Sequence, residues 1–246
     1  MTCNFETFLL KKHLKNMMLG SLLIISSCGF DRFSDFSDNY FPIRTGSTWN
    51  YEVILKNDGH LEEFRKVIYV RELVENSNEK LAKLIDLRGR EQLISINKHN
   101  EVHYHADASN KRHDKTILKK NIVIPKGVTK GMQWTNEDVT KLLRAVGPWE
   151  EPLPIVHSLK MRNIVKNESI MFKLSSGKRI ECIVIESSGS TTINGGPYIG
   201  PTQIQVTKVQ WFGKNVGLVK SIRTERASSK FIKEARSTEI LMSYEY

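Results

Sequence analysis

From Trp49 onward the chain alternates between apolar and polar positions. Trp49, Tyr51, Val53 and Leu55 are interleaved with Asn50, Glu52, Ile54 and Lys56, which describes a strand with one apolar face. Asn57-Asp58-Gly59 follows as a hairpin signal, because tight turns between strands need residues that accept positive φ, and it returns the chain into 64–70. Further runs of strand character lie at 81–87, 92–96, 101–106, 117–124, 170–174, 179–186, 202–212, 217–224 and 239–246. Turns such as Asn97-Lys98-His99-Asn100 and Ser175-Ser176-Gly177 separate them. This cadence predicts a mainly β domain, with antiparallel sheets forming a curved half-barrel or sandwich and at most one or two short helices.

One stretch has a different period. Val139, Leu142, Leu143 and Val146 fall at i, i+3, i+4 and i+7, with Thr135 placed to cap a helix and Gly147-Pro148 placed to stop it. The spacing predicts an amphipathic helix over 135–147, laid on a sheet face. Pro148, Pro152 and Pro154 then mark an irregular crossover, so that the domain, 40–246, has two halves meeting near 147–155. A faint echo fits that division: Pro42-x₃-Gly46-x₂-Trp49 returns loosely as Pro125-x₅-Gly131-x₂-Trp134. In each, a turn glycine precedes a strand-opening aromatic, and both tryptophans are expected in the core.

Upstream of the domain, Lys11-Lys12 and Lys15 flank an apolar run at 17–25 that ends in Ser26-Ser27. A run of this length is well short of the ~20 residues needed to span a bilayer. Basic flank, short apolar run and small residues together make a secretory signal. Ile25-Ser26-Ser27-Cys28 resembles the lipobox of bacterial lipoproteins. The resemblance implies a signal peptide over 1–27, export, diacylglycerol transfer to the Cys28 thiol and cleavage before it. Acyl chains on Cys28 would hold the protein to a membrane, and two or three are needed for stable attachment at ~0.8 kcal/mol per buried CH₂. Gly29, and not Asp, follows the cysteine. By resemblance to sorted lipoproteins this implies the outer membrane, with the domain in the periplasm. Residues 28–39 are then the lipidated Cys and a flexible tether, rich in Ser and Asp, with Phe30, Phe33 and Phe36 recurring along it.

Composition narrows the picture further. An apolar share of 39% with 9% aromatics is enough for a packed core. The first 27 residues hold three Lys and one Glu, so their removal takes the net charge from +10 to +8. An exported protein of this charge is expected to meet lipid headgroups or wall polymers rather than nucleic acid, unless the cations serve solubility alone. Cys3 departs with the signal and Cys28 becomes a thioether, leaving Cys182 without a disulfide partner. In 178–185 it shares a face with Ile180 and Val184, the setting of a small buried apolar residue.

No reaction centre stands out. His99, His103, His105 and His113 lie near Asp107 and Asp114. His103 and His105, two apart on a strand, share a face opposite Val102 and Tyr104 and are the weak candidates for a metal, on the side expected to be solvated. Two ligands are too few for a zinc site. Glu150-Glu151 beside Trp149 has the residue types of a sugar cleft, but adjacent residues on an extended chain point apart. Ser187-Ser188-Gly189-Ser190 lacks the nucleophile elbow. The Gly-rich 195–201 lacks the Lys-Ser/Thr of a phosphate loop and reads as a binding-competent surface loop. No catalytic residue, cofactor-binding residue or cofactor is assigned.

Two segments carry a wider resemblance. Tyr40-Phe41-Pro42-Ile43-x-x-Gly46-x-x-Trp49-x-Tyr51 resembles the opening of a broad group of uncharacterised bacterial envelope lipoproteins. Trp211-Phe212-Gly213-Lys214-Asn215-Val216-Gly217-Leu218-Val219-Lys220 is similar to an aromatic-Gly-Val-Gly-Leu-Val-Lys element near the C-terminus of many of them. The group implies a β-rich periplasmic domain, akin to the curved half-barrels of lipoprotein carriers, and no particular chemistry. Three functions follow in order: a non-catalytic envelope lipoprotein for protein binding or envelope structure, a carrier of lipid or another apolar ligand, and a hydrolase with dispersed residues.

Overall fold

The structure, a computed structural model, describes residues 39–57, 59–105, 120–145, 153–195 and 199–246. The expectations placed on Cys28, the tether, Asp107, His113, Asp114 and Trp149-Glu150-Glu151 lie outside the described residues.

Described strands follow the alternating pattern and extend beyond it. In order they are β1 (Thr48–Asn57), β2 (His60–Glu75), β3 (Glu79–Asp86), β4 (Glu91–Asn97), β5 (Val102–His105), β6 (Lys120–Ile124), β7 (Gln133–Val139), β8 (Arg144–Ala145), β9 (Leu153–Pro154), β10 (Ser158–Lys173), β11 (Arg179–Asn194), β12 (Pro201–Gly213), β13 (Gly217–Ala227) and β14 (Ala235–Glu245). Twelve of them form one antiparallel sheet in the order β6-β5-β4-β3-β2-β1-β14-β13-β12-β11-β10-β7, and β8 pairs with β9 separately. Within β1–β6 and within β10–β14 each strand pairs with its neighbour in the chain, β7 pairs with β10, and β14 returns to pair with β1 from Thr48↔Glu245 to Asn57↔Ala235. The sheet curls into a nearly closed barrel. Its two edge strands, β6 and β7, come together without a backbone ladder. Trp134 Nε1 donates to the Ile122 carbonyl (3.1 Å), and Glu137 N donates to Asn121 Oδ1 (3.1 Å).

The helix expected over 135–147 is not formed. Its first half is β7, which pairs with β10 from Ser158↔Val139 to Ile164↔Gln133, and its second half turns into the β8–β9 hairpin. The apolar period was an accident of a strand end followed by a turn: Val139 is exposed, whereas Leu143 is wholly buried. A partner strand that satisfies every other backbone group outweighs a weak helical preference.

Strand direction gives the barrel two ends. Asn39, the turns 97–101, 124–133, 173–179 and 213–217, and Tyr246 lie at one, the Asn39 end. The turns 86–91 and 227–235 and the excursion 140–157 lie at the other, the hairpin end. Of this excursion the structure describes 140–145 and 153–157. The sheet itself passes from its first six-strand meander to its second between Ile124 and Gln133. Each end has its own core. Trp49, Tyr51, Val53, Leu84, Ile183, Phe212 and Leu241 belong to the larger cluster towards the Asn39 end. Leu143 and Ile155 of the excursion pack on Leu159, Met161, Ile204 and Val206 at the other. Fully burying one such side chain stabilises by ~1.5–3 kcal/mol.

Candidate functional site

The two segments that resemble envelope lipoproteins form a single structural unit. Trp49 Nε1 donates to the Val216 carbonyl (2.7 Å) and the Tyr51 hydroxyl donates to the Leu218 carbonyl (2.9 Å). Asn215 N donates to the Asn39 carbonyl at 2.7 Å, and the Tyr246 hydroxyl donates to the Asn215 carbonyl at 2.6 Å. The point where the chain joins the barrel is therefore pinned to the β12–β13 turn. Gly217, at φ +100°, lies against the Trp49 indole, 3.4 Å from where its Cβ would be. A side chain there would strain the backbone and crowd the ring. Three cations lie over aromatic rings in this neighbourhood: Arg44 over Tyr246 (5.8 Å), Lys178 over Tyr244 (4.6 Å) and Lys220 over Trp211 (5.1 Å).

The glycine–tryptophan echo is structural. Gly46 N donates to the Val70 carbonyl and Val70 N to the Ser47 carbonyl; Gly131 N donates to the Val165 carbonyl and Val165 N to the Met132 carbonyl. The glycines have φ of +83° and +84°. Trp49 is 2% exposed, and Trp134 is half-buried against the same core.

At the hairpin end, sequence reasoning missed a buried ionic network. Glu225 on β13 is 0% exposed. Its carboxylate accepts from Arg223 Nε (2.7 Å), from Leu142 N (2.9 Å), and from Lys141 N and Leu143 N (3.1 and 3.2 Å). Arg223 also donates from Nη1 to Asp138 Oδ2 (2.7 Å) and from Nη2 to the Val139 carbonyl (2.5 Å). Lys208 stands 3.7 Å from Asp138. Burial alone would push the Asp138 carboxyl up. The charges of Lys208, Arg223 and Lys141 outweigh it and hold the group at about 2. Burial pushes the Lys208 ammonium down to about 8, against the pull of Asp138. The network locks the foot of the excursion, where Thr140 Oγ1 donates to the Ile155 carbonyl (2.8 Å) and Asn57 Nδ2 donates to the Leu142 carbonyl (2.7 Å). The available signal was faint: Arg223-Thr-Glu225 puts two charges on the face of β13 that Val219 assigns to the interior.

The histidine pair is placed differently from expectation. His103 is 7% exposed, so it is not on a solvated surface. The bulge between Val102 and His103 breaks the alternation and lets both residues be buried. Its Nε2 lies 3.2 Å from Glu101 Oε1, and His105 Nε2 is 2.9 Å from Ser95 Oγ. Lys120, opposite His105 in the ladder, reaches Glu79 at 2.7 Å. Burial first, and the Lys120 charge second, lower the pKa of both imidazoles. An ammonium that opposes a second proton on each ring also opposes a bound cation. His99 is exposed in the β4–β5 turn. Among the described residues no three of His, Cys, Asp and Glu are grouped to hold a metal ion.

The remaining candidates sit within the sheet. Cys182 is wholly buried in β11 between Ile180 and Val184, and burial pushes its thiol up to about 12. Ser187-Ser188-Gly189-Ser190 is strand, with Gly189 under β10: a Cβ there would lie 2.4 Å from the Lys160 carbonyl oxygen. The 195–201 segment links β11 to β12, and Gly195 N donates to the Gly200 carbonyl at its base. Its residues 196–198 lie outside the described residues.

No protein-family model matches the chain, and no curated protein matches it. Solved structures share part of its shape. A Bacteroides fragilis protein described as exported, with a YmcC-like fold, is 12% identical with a TM-score of 0.47, over 85% of this chain and 100% of its own. A protein from Parabacteroides distasonis, described as a lipoprotein, is 12% identical with a TM-score of 0.46, over 85% and 99%. The hypothetical lipoprotein YmcC from Escherichia coli is 11% identical with a TM-score of 0.33, over 78% and 87%. Likeness of this degree carries no argument about this chain, whose architecture is read from its own strands.

Proposed function

We propose that this chain is an exported lipoprotein, lipidated on Cys28 and facing the periplasm from the outer membrane, whose barrel is a non-catalytic module that presents its 140–157 excursion to a protein partner. One observation carries the reading: the end where residue 39 joins the barrel and the end that bears the excursion are opposite. A domain held by its first end offers the second outward. Four hydrogen bonds to one buried carboxylate fix the foot of the excursion, and a rigid base lowers the ordering cost of binding through it.

The packed interior favours this over the carrier reading. Phe212, Ile124, Met161, Ile183, Ile185, Ile204 and Leu241 are each at most 2% exposed, as side chains packed against one another are. A sheet wrapped round an apolar ligand would leave such side chains lining a cavity.

Two measurements test the reading. Labelled fatty acid should enter the wild-type chain and not the Cys28→Ala variant, which should leave the membrane fraction. Photo-crosslinking residues placed in living cells at Arg144 and Val156, both exposed on the excursion, should capture one defined protein. The same residue at Thr224, on the outer wall, should not. Label in the Cys28→Ala variant refutes the anchor, and equal capture at all three positions refutes presentation by the excursion.

A further inference from the structure

The Asn39 end has a chemistry of its own. The turns gathered there carry six basic side chains, Arg44, Lys98, Lys126, Lys130, Lys178 and Lys214, against Glu101 in the turns and Glu168 and Glu245 on the adjoining strands. Glu101 is engaged with Asn97 and His103. Two acids at neighbouring strand ends are engaged too: Glu75 pairs with Lys80 at 2.8 Å and Glu79 with Lys120 at 2.7 Å. Lys98, Lys126 and Lys130 are exposed and enter no ion pair among the described residues. At the same end Tyr246 is 46% exposed, with Arg44 over its ring.

We propose that this rim docks the barrel onto anionic phospholipid headgroups of the membrane that holds its anchor. The inference rests on the Cys28 reading for its geometry. Cys28 and Asn39 are eleven positions apart in the sequence, which limits the covalent reach to about 40 Å. The rim is the part of the barrel that this reach brings to the headgroups first. Exposed lysines near an anionic surface each strengthen attachment severalfold, and tyrosines favour the interfacial layer. Docked this way, the excursion at the far end stands away from the bilayer.

The test uses the chain from residue 29, which lacks the lipidated cysteine. It retains the compact unit Phe36–Tyr246, with every described strand and both core clusters, and so the whole folding unit. Its cosedimentation is measured with vesicles of phosphatidylethanolamine and phosphatidylglycerol, and with vesicles of phosphatidylcholine, at low and high salt. The rim triple variant Lys98→Glu, Lys126→Glu, Lys130→Glu is compared with a triple of equal charge change remote from the rim, Arg88→Glu, Lys160→Glu, Lys230→Glu. The wild-type chain should prefer phosphatidylglycerol vesicles and release them at high salt. The rim triple should bind roughly a hundredfold more weakly, and the remote triple less than tenfold. A Lys→Gln version of the rim triple, which adds no charge, should still lose tenfold or more. Equal loss in the rim and remote triples, no preference for the anionic vesicles, or retention only on isolated wall polymer overturns the proposal. Because this chain has no Cys28, its failure leaves the anchor untouched, and the anchor fails separately through the fatty-acid label.

Discussion

Replacing Glu225 with Gln removes a charge while keeping the side chain's shape, which makes it the sharpest probe of the hairpin end. The carboxylate is 0% exposed and receives four N–H donors, one of them the Arg223 guanidinium. An amide offers one accepting oxygen, so its NH₂ must face either the Leu142 and Leu143 N–H groups or Arg223 Nε, and a buried donor loses its partner either way. An orphaned buried donor costs ~1–3 kcal/mol. Arg223 keeps Asp138 but loses the other of its two carboxylates, each 2.7 Å away, and breaking a buried pair from one side costs ~3–5 kcal/mol. The two losses overlap, so the expected total is ~3–5 kcal/mol, a large share of the 5–15 kcal/mol that holds an ordinary domain.

Equilibrium unfolding in urea, followed by tryptophan fluorescence on the chain from residue 29, measures that loss. Hydrogen exchange locates it: the amides of 141–143 should lose protection in Glu225→Gln, while those of β1 and β14 exchange only as fast as the lower global stability requires. An Arg223→Met Glu225→Leu double variant should not recover wild-type stability, because three backbone donors would face an apolar side chain. A Glu225→Gln chain within 1 kcal/mol of wild type, with 141–143 still protected, would show that the carboxylate does not hold the excursion.

Acid unfolding should expose the same network. Asp138 is held at about 2, below its ordinary 3.8, so its contribution is complete above the unfolded value and is lost as pH falls through 4 towards 2. A loss of about 2 kcal/mol should appear on that limb, and Asp138→Asn, already short of it at neutral pH, should show a flatter limb in the same titration. Trp49→Ala should cost ~3–5 kcal/mol in urea unfolding and Trp134→Ala clearly less, since only Trp49 is fully buried; the reverse order would contradict the packing. Cys182, the one thiol left in the chain from residue 29, should resist a thiol reagent at pH 8 in the folded state, where its pKa is about 12, and react when urea unfolds the chain. Rapid native labelling would refute its burial.

Much of the barrel was legible because its strands have one wet face. The alternation from Trp49 to Lys56 needs no tertiary information, and the 217–224 run reads the same way. What escaped lay where the partner decides. β10 runs from Ser158 to Lys173, yet only 170–174 looked like strand, because Lys160, Arg162 and Lys166 on its outer face mask Leu159, Met161 and Val165. β11 continues through Ser187-Ser188-Gly189-Ser190-Thr191 to Asn194, a stretch with little strand propensity that is held by β12 on one side. The network of Asp138, Arg223 and Glu225 joins residues 85 positions apart, a proximity no local pattern can express. His103 lost its solvated face to a bulge, which shifts parity without leaving a mark in composition.

The echo of Gly46–Trp49 in Gly131–Trp134 explains how the barrel deals with its ends. Each opens one six-strand meander with the same left-handed turn, and each indole donates not to its own meander but to the other. Trp49, on the first strand of the first, reaches Val216 in the second; Trp134, on the first strand of the second, reaches Ile122 in the first. Trp49 reinforces a junction that already has the full β1–β14 ladder. Trp134 works where β6 and β7 share no ladder, so its indole, with Asn136 Nδ2 on the same carbonyl and Asn121 below, covers backbone groups that would otherwise template pairing with another chain. The β6–β7 seam is thus, among the described residues, the line along which side chains hold the barrel, and two equivalent tryptophans have different work: Trp49 fills the core beside a ladder, while Trp134, less buried, closes an edge that has none.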